Sequence, residues 1–173
     1  MTNEERLREQ VYAAFKNRAM VYACVLDELR RELGEARATD LLQRAIYRRG
    51  TQVGRAFARY GPADLAGLRQ AFLAMVPDEG RMFAPEVTRD DATGLDIKFH
   101  RCPLKEAWLE AGLPEVEVAK LCAIAGRVDN GTFEAAGFHF SADTFQPGGE
   151  GCCHLHIRPG PSAGPTSEGG TTR

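Results

Sequence analysis

The spacing of the apolar residues changes abruptly near Pro77, and this change constrains the fold more than any other feature of the sequence. Before Pro77 the apolar positions recur at every third or fourth residue, which is the spacing of an amphipathic helix. After Pro77 apolar and polar residues alternate, which is typical of strands with one buried face. Separate helical and strand-forming blocks indicate an α+β domain.

The first block is predicted to be helical throughout. Its apolar spacing indicates three helices, over residues 4–33, 39–60 and 64–76. Gly34 is expected to end the first helix. Gly50 and Gly54 lie one turn apart on the second, where the absence of side chains would let another element approach closely.

The second block is predicted to form two hairpins with two helices between them. The strands of the first hairpin are expected within 83–89 and 95–101, and those of the second at 138–145 and 152–158. The intervening helices are predicted at 103–111 and 114–125. We therefore expect N-terminal helices packed on a small antiparallel sheet in one domain, residues 1–158, followed by a disordered tail rich in Gly, Pro, Ser and Thr, residues 159–173.

Composition and charge narrow the classes of partner. The chain has 173 residues with 22 Lys and Arg against 24 Asp and Glu, a formal net charge of −2. That balance argues against a nucleic-acid partner, since duplex binders usually carry a strongly basic face. The longest apolar stretches fall short of the ~20 residues of a membrane helix, and the first ten residues are charged. We expect a cytoplasmic protein that acts on a small molecule, with no membrane association.

The thiols and imidazoles are concentrated in the second block. All four histidines, His100, His139, His154 and His156, fall in predicted strands, on the faces opposite the apolar residues. The simpler interpretation of each is a solvated surface residue. Five cysteines without a CxxC pair suit reduced thiols better than a disulfide framework. Cys24, on the first predicted helix, is interpreted as a core thiol.

Cys102 is the first candidate nucleophile. It precedes Pro103, and proline at the first helical position would place Cys102 at the N-cap, where the helix dipole lowers a thiol pKa. His100, two residues earlier, could then act as the base. The alternative is a small residue that merely caps a helix.

A metal site is the first alternative. Cys152, His154 and His156 would lie on one face of a strand, and His100 or His139 could add a fourth ligand, as zinc requires. Cys153 would point to the opposite face, so only one thiol of the pair would line a given pocket.

Several short motifs are spread over roughly residues 20–158. They are Leu29-Arg-Arg-Glu-Leu-Gly34, Ala45-Ile-Tyr-Arg-Arg-Gly50, Arg101-Cys-Pro103 with Trp108 and Gly112, Lys120-Leu-Cys122, Asp129, and Gly151-Cys-Cys-His-Leu-His-Ile157. Together these motifs resemble one known family, the L-2-amino-thiazoline-4-carboxylic acid hydrolases. The sequence departs from the family where Leu155 and Ile157 replace the usual Phe, and where His154 replaces an acidic residue.

The resemblance implies hydrolysis of a cyclic amidine, in which water opens a 2-aminothiazoline ring to an N-carbamoyl cysteine, without a cofactor. The candidate site residues that match the family position by position are Cys102, Cys122, Cys153 and Asp129. In this hypothesis Asp129 binds the amidinium, and a thiolate, or water activated by His100 or His139, attacks it.

Substrate binding is assigned by the same hypothesis. Arg101 and Arg158 are the candidates for the substrate carboxylate, with Cys122 nearby. Two alternatives stay open: a zinc-dependent hydrolase that uses the Cys152, His154 and His156 set, and a non-catalytic domain that binds a small molecule in the same pocket.

Overall fold

The computed structural model describes residues 2–161, and in this part of the chain it contains six α-helices and one four-stranded antiparallel sheet. The elements are α1 (Asn3–Leu33), α2 (Glu35–Gly54), α3 (Leu65–Ala74), β1 (Pro85–Asp91), β2 (Gly94–Phe99), α4 (Pro103–Glu110), α5 (Glu115–Ala125), α6 (Arg127–Ala135), β3 (His139–Asp143) and β4 (His154–Arg158). Short 3-10 turns follow α2 and α3, at Ala58–Tyr60 and Asp78–Gly80. The α+β prediction is confirmed.

The N-terminal helices form much as the apolar spacing predicts. A capping box opens α1, because the Glu5 backbone N–H donates to the Thr2 side chain while the Glu5 carboxylate accepts from the Thr2 N–H. Gly34, at φ +78°, ends α1 and also precedes α2. The second helix therefore starts at Glu35 instead of residue 39, and it stops at Gly54, where the chain turns into the 3-10 segment.

The sheet consists of the two predicted hairpins joined edge to edge. Its strand order is β1-β2-β4-β3, and β2 pairs with β4 in antiparallel register, with Ile97 opposite Leu155. The predicted apolar face is confirmed, since Leu95, Ile97, Leu155 and Ile157 are all fully buried. They pack against Phe133 and other residues of one of two buried apolar clusters. The opposite face carries the polar residues.

Helix α6 is not among the helices predicted from the sequence. Its sequence, Arg127-Val-Asp-Asn-Gly-Thr-Phe-Glu-Ala135, contains turn-forming residues, and packing against α2 overrides that local preference. A Cβ at Gly131 would lie 2.2 Å from the Tyr47 carbonyl oxygen, and one at Gly50 would lie 2.2 Å from the Val128 carbonyl oxygen. The predicted close approach at Gly50 and Gly54 is therefore confirmed, and α6 is the element that makes it.

The end of the domain lies slightly beyond the predicted boundary. Gly160 donates its backbone N–H to the Pro62 carbonyl oxygen at 2.8 Å, so the described fold includes the first residues of the segment predicted as a tail. Residues 162–173 of that segment lie outside the described residues. Within residues 2–161, no helix is long and apolar enough to cross a membrane.

The contact between α2 and α6 makes a testable prediction. In Gly50→Ala the new methyl group would meet backbone atoms, which cannot rotate away, so we expect a loss of about 3 kcal/mol in the free energy of unfolding. Gly126→Ala is the matched control, because its Cβ would come no closer than 3.2 Å to another residue. Urea denaturation of both variants measures the difference, and equal losses would contradict the proposed packing constraint.

Candidate active site

The candidate site is a cavity of about 280 Å³ between the helices and one end of the sheet. Most of its wall is aromatic or aliphatic, formed by Phe15, Phe72, Met75, Val76, Pro77, Phe83, Phe99, Leu104, Trp108, Ala125 and Val128. Its polar and thiol groups come from Arg18, Asp129, Cys102, Cys122, Cys152 and Cys153. The cavity is thus an apolar pocket in which a few reactive groups converge.

Four cysteines from separate elements meet in this cavity, and we call them the thiol cluster: Cys102, Cys122, Cys152 and Cys153. Cys102 is the N-cap of α4, as predicted, and Cys122 lies on the buried side of α5. Cys24, predicted as a core thiol, is instead exposed, because it lies beside the buried stripe of Ala19, Ala23 and Leu26 on α1.

Cys152 and Cys153 are held at the end of the glycine-rich loop. The Cys152 N–H donates to the Phe99 carbonyl oxygen, and the Phe99 N–H donates to the Cys153 carbonyl oxygen. Regular strand geometry begins only at His154, and residues 151–152 form a bend. The side chains of Cys152 and Cys153 therefore do not point to opposite faces as they would in a strand. Both line the cavity with their sulfur atoms 3.3 Å apart, and the prediction that only one could do so is wrong.

Cys152 is the centre of the thiol cluster. Hydrogen bonds from the thiols of Cys102, Cys122 and Cys153 lower the pKa of Cys152 well below its usual range, and the nearby Lys105 ammonium acts in the same direction. Lys105 also donates to the Gly151 carbonyl oxygen, which fixes its charge beside the loop. Of the four thiols, Cys152 is therefore the one whose ionised form its surroundings favour.

The surroundings of the other three thiols favour the neutral form. Their hydrogen bonds to Cys152, together with burial, raise the pKa of Cys102, Cys122 and Cys153. For Cys102 the backbone N–H groups of α4 act in the opposite direction and do not prevail. The prediction of a lowered pKa at Cys102 is therefore wrong, because hydrogen bonding to Cys152 and burial outweigh the backbone N–H groups at the start of α4.

Asp129 supplies a second ionisable group in the same cavity. Burial, with the charge of Cys152 adding to it and the Arg18 guanidinium opposing it, raises the pKa of Asp129 to about 7. Helix α6 places this carboxyl in its first turn, beside the α2 contact described above. Near neutral pH, Asp129 can therefore both give and accept a proton.

The structure separates the histidines from the thiols. In the described part of the chain, none of the four imidazoles lines the cavity. His100 follows the end of β2, is exposed, and contacts the Glu86 carboxylate at 2.7 Å, while His139 is exposed on the edge strand β3. His100 is therefore not positioned as the predicted base for Cys102, and neither histidine is positioned to activate a water in the cavity, because the strand face that carries the histidines points away from it.

The predicted carboxylate-binding arginines also lie elsewhere. Arg101 forms a bidentate ion pair with Glu106, in which both N···O distances are 2.9 Å. Arg158 pairs with Asp96 on the outer face of the sheet. The arginine that does line the cavity is Arg18, whose guanidinium lies over the Phe15 ring. Arg18 is not among the residues predicted from the sequence, because its place at the cavity depends on where α1 packs.

The predicted metal set is not assembled as expected. Cys152 belongs to the thiol cluster, whereas His154 and His156 lie on the outer face, because the bend before β4 turns the cysteine inward. Among the described residues, the group whose ligand atoms lie within 4.8 Å of one another is Asp143, His154 and His156. In this group Asp143 takes the place that was predicted for Cys152.

Comparison with known proteins agrees with the resemblance noted in the sequence. The family model described as L-2-amino-thiazoline-4-carboxylic acid hydrolase matches residues 14–157. The chain belongs to this family. Within it, the family-matching residues Cys102, Cys122, Cys153 and Asp129 all line one cavity. The family description is that of a hydrolase.

Similarity to solved structures concerns the fold alone. A crystal structure of a trafficking protein particle complex subunit 3 from Naegleria fowleri, covalently bound to palmitic acid, matches with a TM-score of 0.53 and 17% sequence identity. The match covers 84% of this chain and 95% of that one. No curated protein matches the sequence.

The raised pKa of Asp129 predicts a pH-dependent stability. Between the ordinary value of 3.8 and about 7 the carboxyl is neutral in the folded protein and ionised in the unfolded one. Folding is therefore progressively disfavoured as pH rises through this window, and the full cost applies above it. We expect the stability advantage of Asp129→Asn over the wild type to grow by about 2 kcal/mol between about pH 5 and pH 8.

Urea denaturation at the two pH values measures this difference. Glu150→Gln, in the exposed glycine-rich loop, is the control for loss of a carboxylate. A constant difference between Asp129→Asn and the wild type would show that Asp129 is already ionised at the lower pH.

The thiol cluster predicts that Cys152 reacts as a thiolate in mild acid. Iodoacetamide labelling of Cys152 should change little between about pH 6 and 8.5, whereas a free thiol of pKa ~8.5 loses about two orders of magnitude in rate. Peptide mapping separates Cys152 from the exposed Cys24. A rate at Cys152 that follows that of free cysteine would place the negative charge elsewhere.

Proposed function

We propose that the protein hydrolyses a small cyclic amidine that carries a carboxylate, of the 2-aminothiazoline type, with Cys152 as the nucleophile. The observation that carries this proposal is that one cavity brings together four thiols, among which Cys152 has a lowered pKa, and a carboxyl with a pKa of about 7. Membership of the hydrolase family supports the class of reaction.

The first half of the reaction opens the ring. The Cys152 sulfur forms a bond to the amidine carbon, and the displaced C=N electron pair takes a proton from Asp129 at the ring nitrogen. The bond between this carbon and the ring sulfur then breaks, and its electron pair leaves with the ring sulfur. An isothiouronium group remains on Cys152, and Asp129 is left as a carboxylate.

The second half adds water and releases the enzyme. Asp129 accepts one proton from the water as its oxygen bonds to the same carbon. The remaining hydroxyl proton passes to the substrate sulfur as the carbonyl forms, and the bond to Cys152 breaks with its electrons returning to Cys152. The product is an N-carbamoyl cysteine, while Cys152 and Asp129 regain their starting protonation states.

Substrate binding divides between the charged and apolar parts of the cavity. Arg18 is the candidate for the carboxylate, because its guanidinium is the cationic group of the cavity wall. The aromatic walls would cover the ring and exclude water from the attacked carbon. A volume of about 280 Å³ suits a compact heterocycle, since it lies near the lower end of ligand pocket sizes.

Turnover of 2-aminothiazoline-4-carboxylate by purified protein tests the proposal. Cys152→Ala should abolish turnover, and Asp129→Asn should reduce it by about 100-fold or more, because it removes the proton donor. In the wild type, kcat/KM should fall as pH rises above about 7, where Asp129 loses its proton. Arg18→Ala should raise KM more than it lowers kcat.

The controls separate this assignment from the histidine hypothesis. His100→Ala and His139→Ala should retain wild-type turnover, because both side chains lie outside the cavity. Turnover that survives in Cys152→Ala but is lost in either histidine variant would overturn the role of Cys152.

A second candidate function is covalent binding of an acyl group at the thiol cluster without hydrolysis. It is favoured by the predominantly aromatic and aliphatic wall, and the similar structure from Naegleria fowleri is covalently bound to palmitic acid. Intact-mass measurement of the purified protein tests this candidate. A fatty-acyl adduct that maps to a cysteine of the cluster and is released by hydroxylamine would support it over the hydrolase, and an unmodified chain would contradict it.

A further inference from the structure

We propose that Asp143, His154 and His156 form a binding site for a divalent transition-metal cation on the outer face of the sheet, apart from the cavity. The ligand atoms of these three residues lie within 4.8 Å of one another. Nothing in the proposed hydrolysis uses this site.

The backbone of the sheet brings the three side chains together. His154 and His156 are two apart on β4, so they project from the same face, and their ring centroids are 4.4 Å apart. Asp143, on β3, is the register partner of His154. One Asp143 carboxylate oxygen lies 3.1 Å from Nε2 of His156. Two imidazoles and a carboxylate thus converge from adjacent strands.

A second carboxylate orients one of the imidazoles. Asp96, on β2, lies 3.2 Å from Nδ1 of His156, and it is itself held by the Arg158 guanidinium. This contact occupies Nδ1 and leaves Nε2 directed toward Asp143, an arrangement found behind many metal-bound histidines. Thr88, on β1, contacts Nε2 of His154 at 2.9 Å and restricts the second ring in a similar way.

The donor set indicates the class of cation. Two imidazole nitrogens and one carboxylate oxygen suit Zn²⁺, Co²⁺, Ni²⁺ or Cu²⁺ and do not suit Mg²⁺ or Ca²⁺, which prefer oxygen ligands alone. Three protein ligands leave at least one position for water. Asp96 and Asp143 balance the positive charges of Lys98 and Arg158 around the site, so a cation meets no net repulsion.

A proton is the competing occupant. A protonated His156 could bridge Asp96 and Asp143 without any metal, and the observed contacts would be the same. The two interpretations differ in whether a metal binds with these residues as ligands, so direct titration separates them.

Titration of the reduced, chelator-treated full-length protein with Co²⁺ provides the test. We expect one equivalent to bind, with visible d–d bands and no sulfur-to-cobalt charge-transfer band in the near ultraviolet. His156→Ala and Asp143→Asn should each weaken binding at least tenfold. Asp143→Asn should fold normally, because the Asp143 side chain is 83% exposed. Zn²⁺ should displace the Co²⁺.

The matched controls are His100→Ala, which removes an exposed histidine elsewhere, and Cys152→Ser, which alters the thiol cluster. Both should bind Co²⁺ like the wild type. Absence of binding, or binding that persists in His156→Ala and Asp143→Asn, would overturn the proposal. So would a charge-transfer band that is lost in Cys152→Ser, because the cation would then be bound by thiols.

Asp96→Asn tests the positioning role of the second carboxylate. Loss of the contact to Nδ1 should weaken Co²⁺ binding about 10- to 100-fold without removing a ligand. Unchanged affinity would show that the orientation of His156 does not depend on Asp96. Because this readout is metal affinity alone, it is independent of whether the cavity catalyses hydrolysis.

Discussion

The contact between α2 and α6 at Gly50 and Gly131 is the constraint on which the candidate site depends. Backbone carbonyl groups of each helix occupy the space that a side chain would need on the other, and the buried Thr132 hydroxyl bonds across to the Gly50 carbonyl oxygen. This contact selects a helix where the local sequence favours a turn. It thereby fixes Asp129, in the first turn of α6, at the wall of the cavity.

The ionisation of Cys152 and Asp129 depends on the small number of charges that a buried cavity can hold. Hydrogen bonding to Cys102, Cys122 and Cys153 lowers the pKa of Cys152, so Cys152 is the thiol at which a negative charge is favoured. Burial, and then the charge of an ionised Cys152, raises the pKa of Asp129 to about 7. A second anion beside the thiolate is thus disfavoured, and the carboxyl stays protonated up to near-neutral pH. The thiolate and the proton donor are therefore two results of the same crowded arrangement.

Most of the fold, but only part of the site, could be predicted from the sequence. Periodicity identified both hairpins and the buried face of Leu95, Ile97 and Leu155, because alternation reports burial directly. It could not identify α6, which depends on a tertiary contact. Strand alternation also misplaced Cys152, since the bend before His154 interrupts it. Arg18 gave no local signal at all, because its role depends on where α1 meets the cavity.

The separation of thiols from imidazoles limits the chemistry available to the cavity. With the histidines on the far face of the sheet, Asp129 is the acid of the cavity wall, and its pKa of about 7, raised by burial and then by Cys152, suits it to the proton transfer of the proposed hydrolysis. A cavity that holds a thiolate beside a neutral acid favours a reacting carbon that is neutral or cationic and repels an anionic one. A cyclic amidine meets this condition at its reacting carbon. The carboxylate of such a substrate must then lie away from Cys152, toward Arg18, and this requirement orients the ring with its amidine carbon nearest the sulfur.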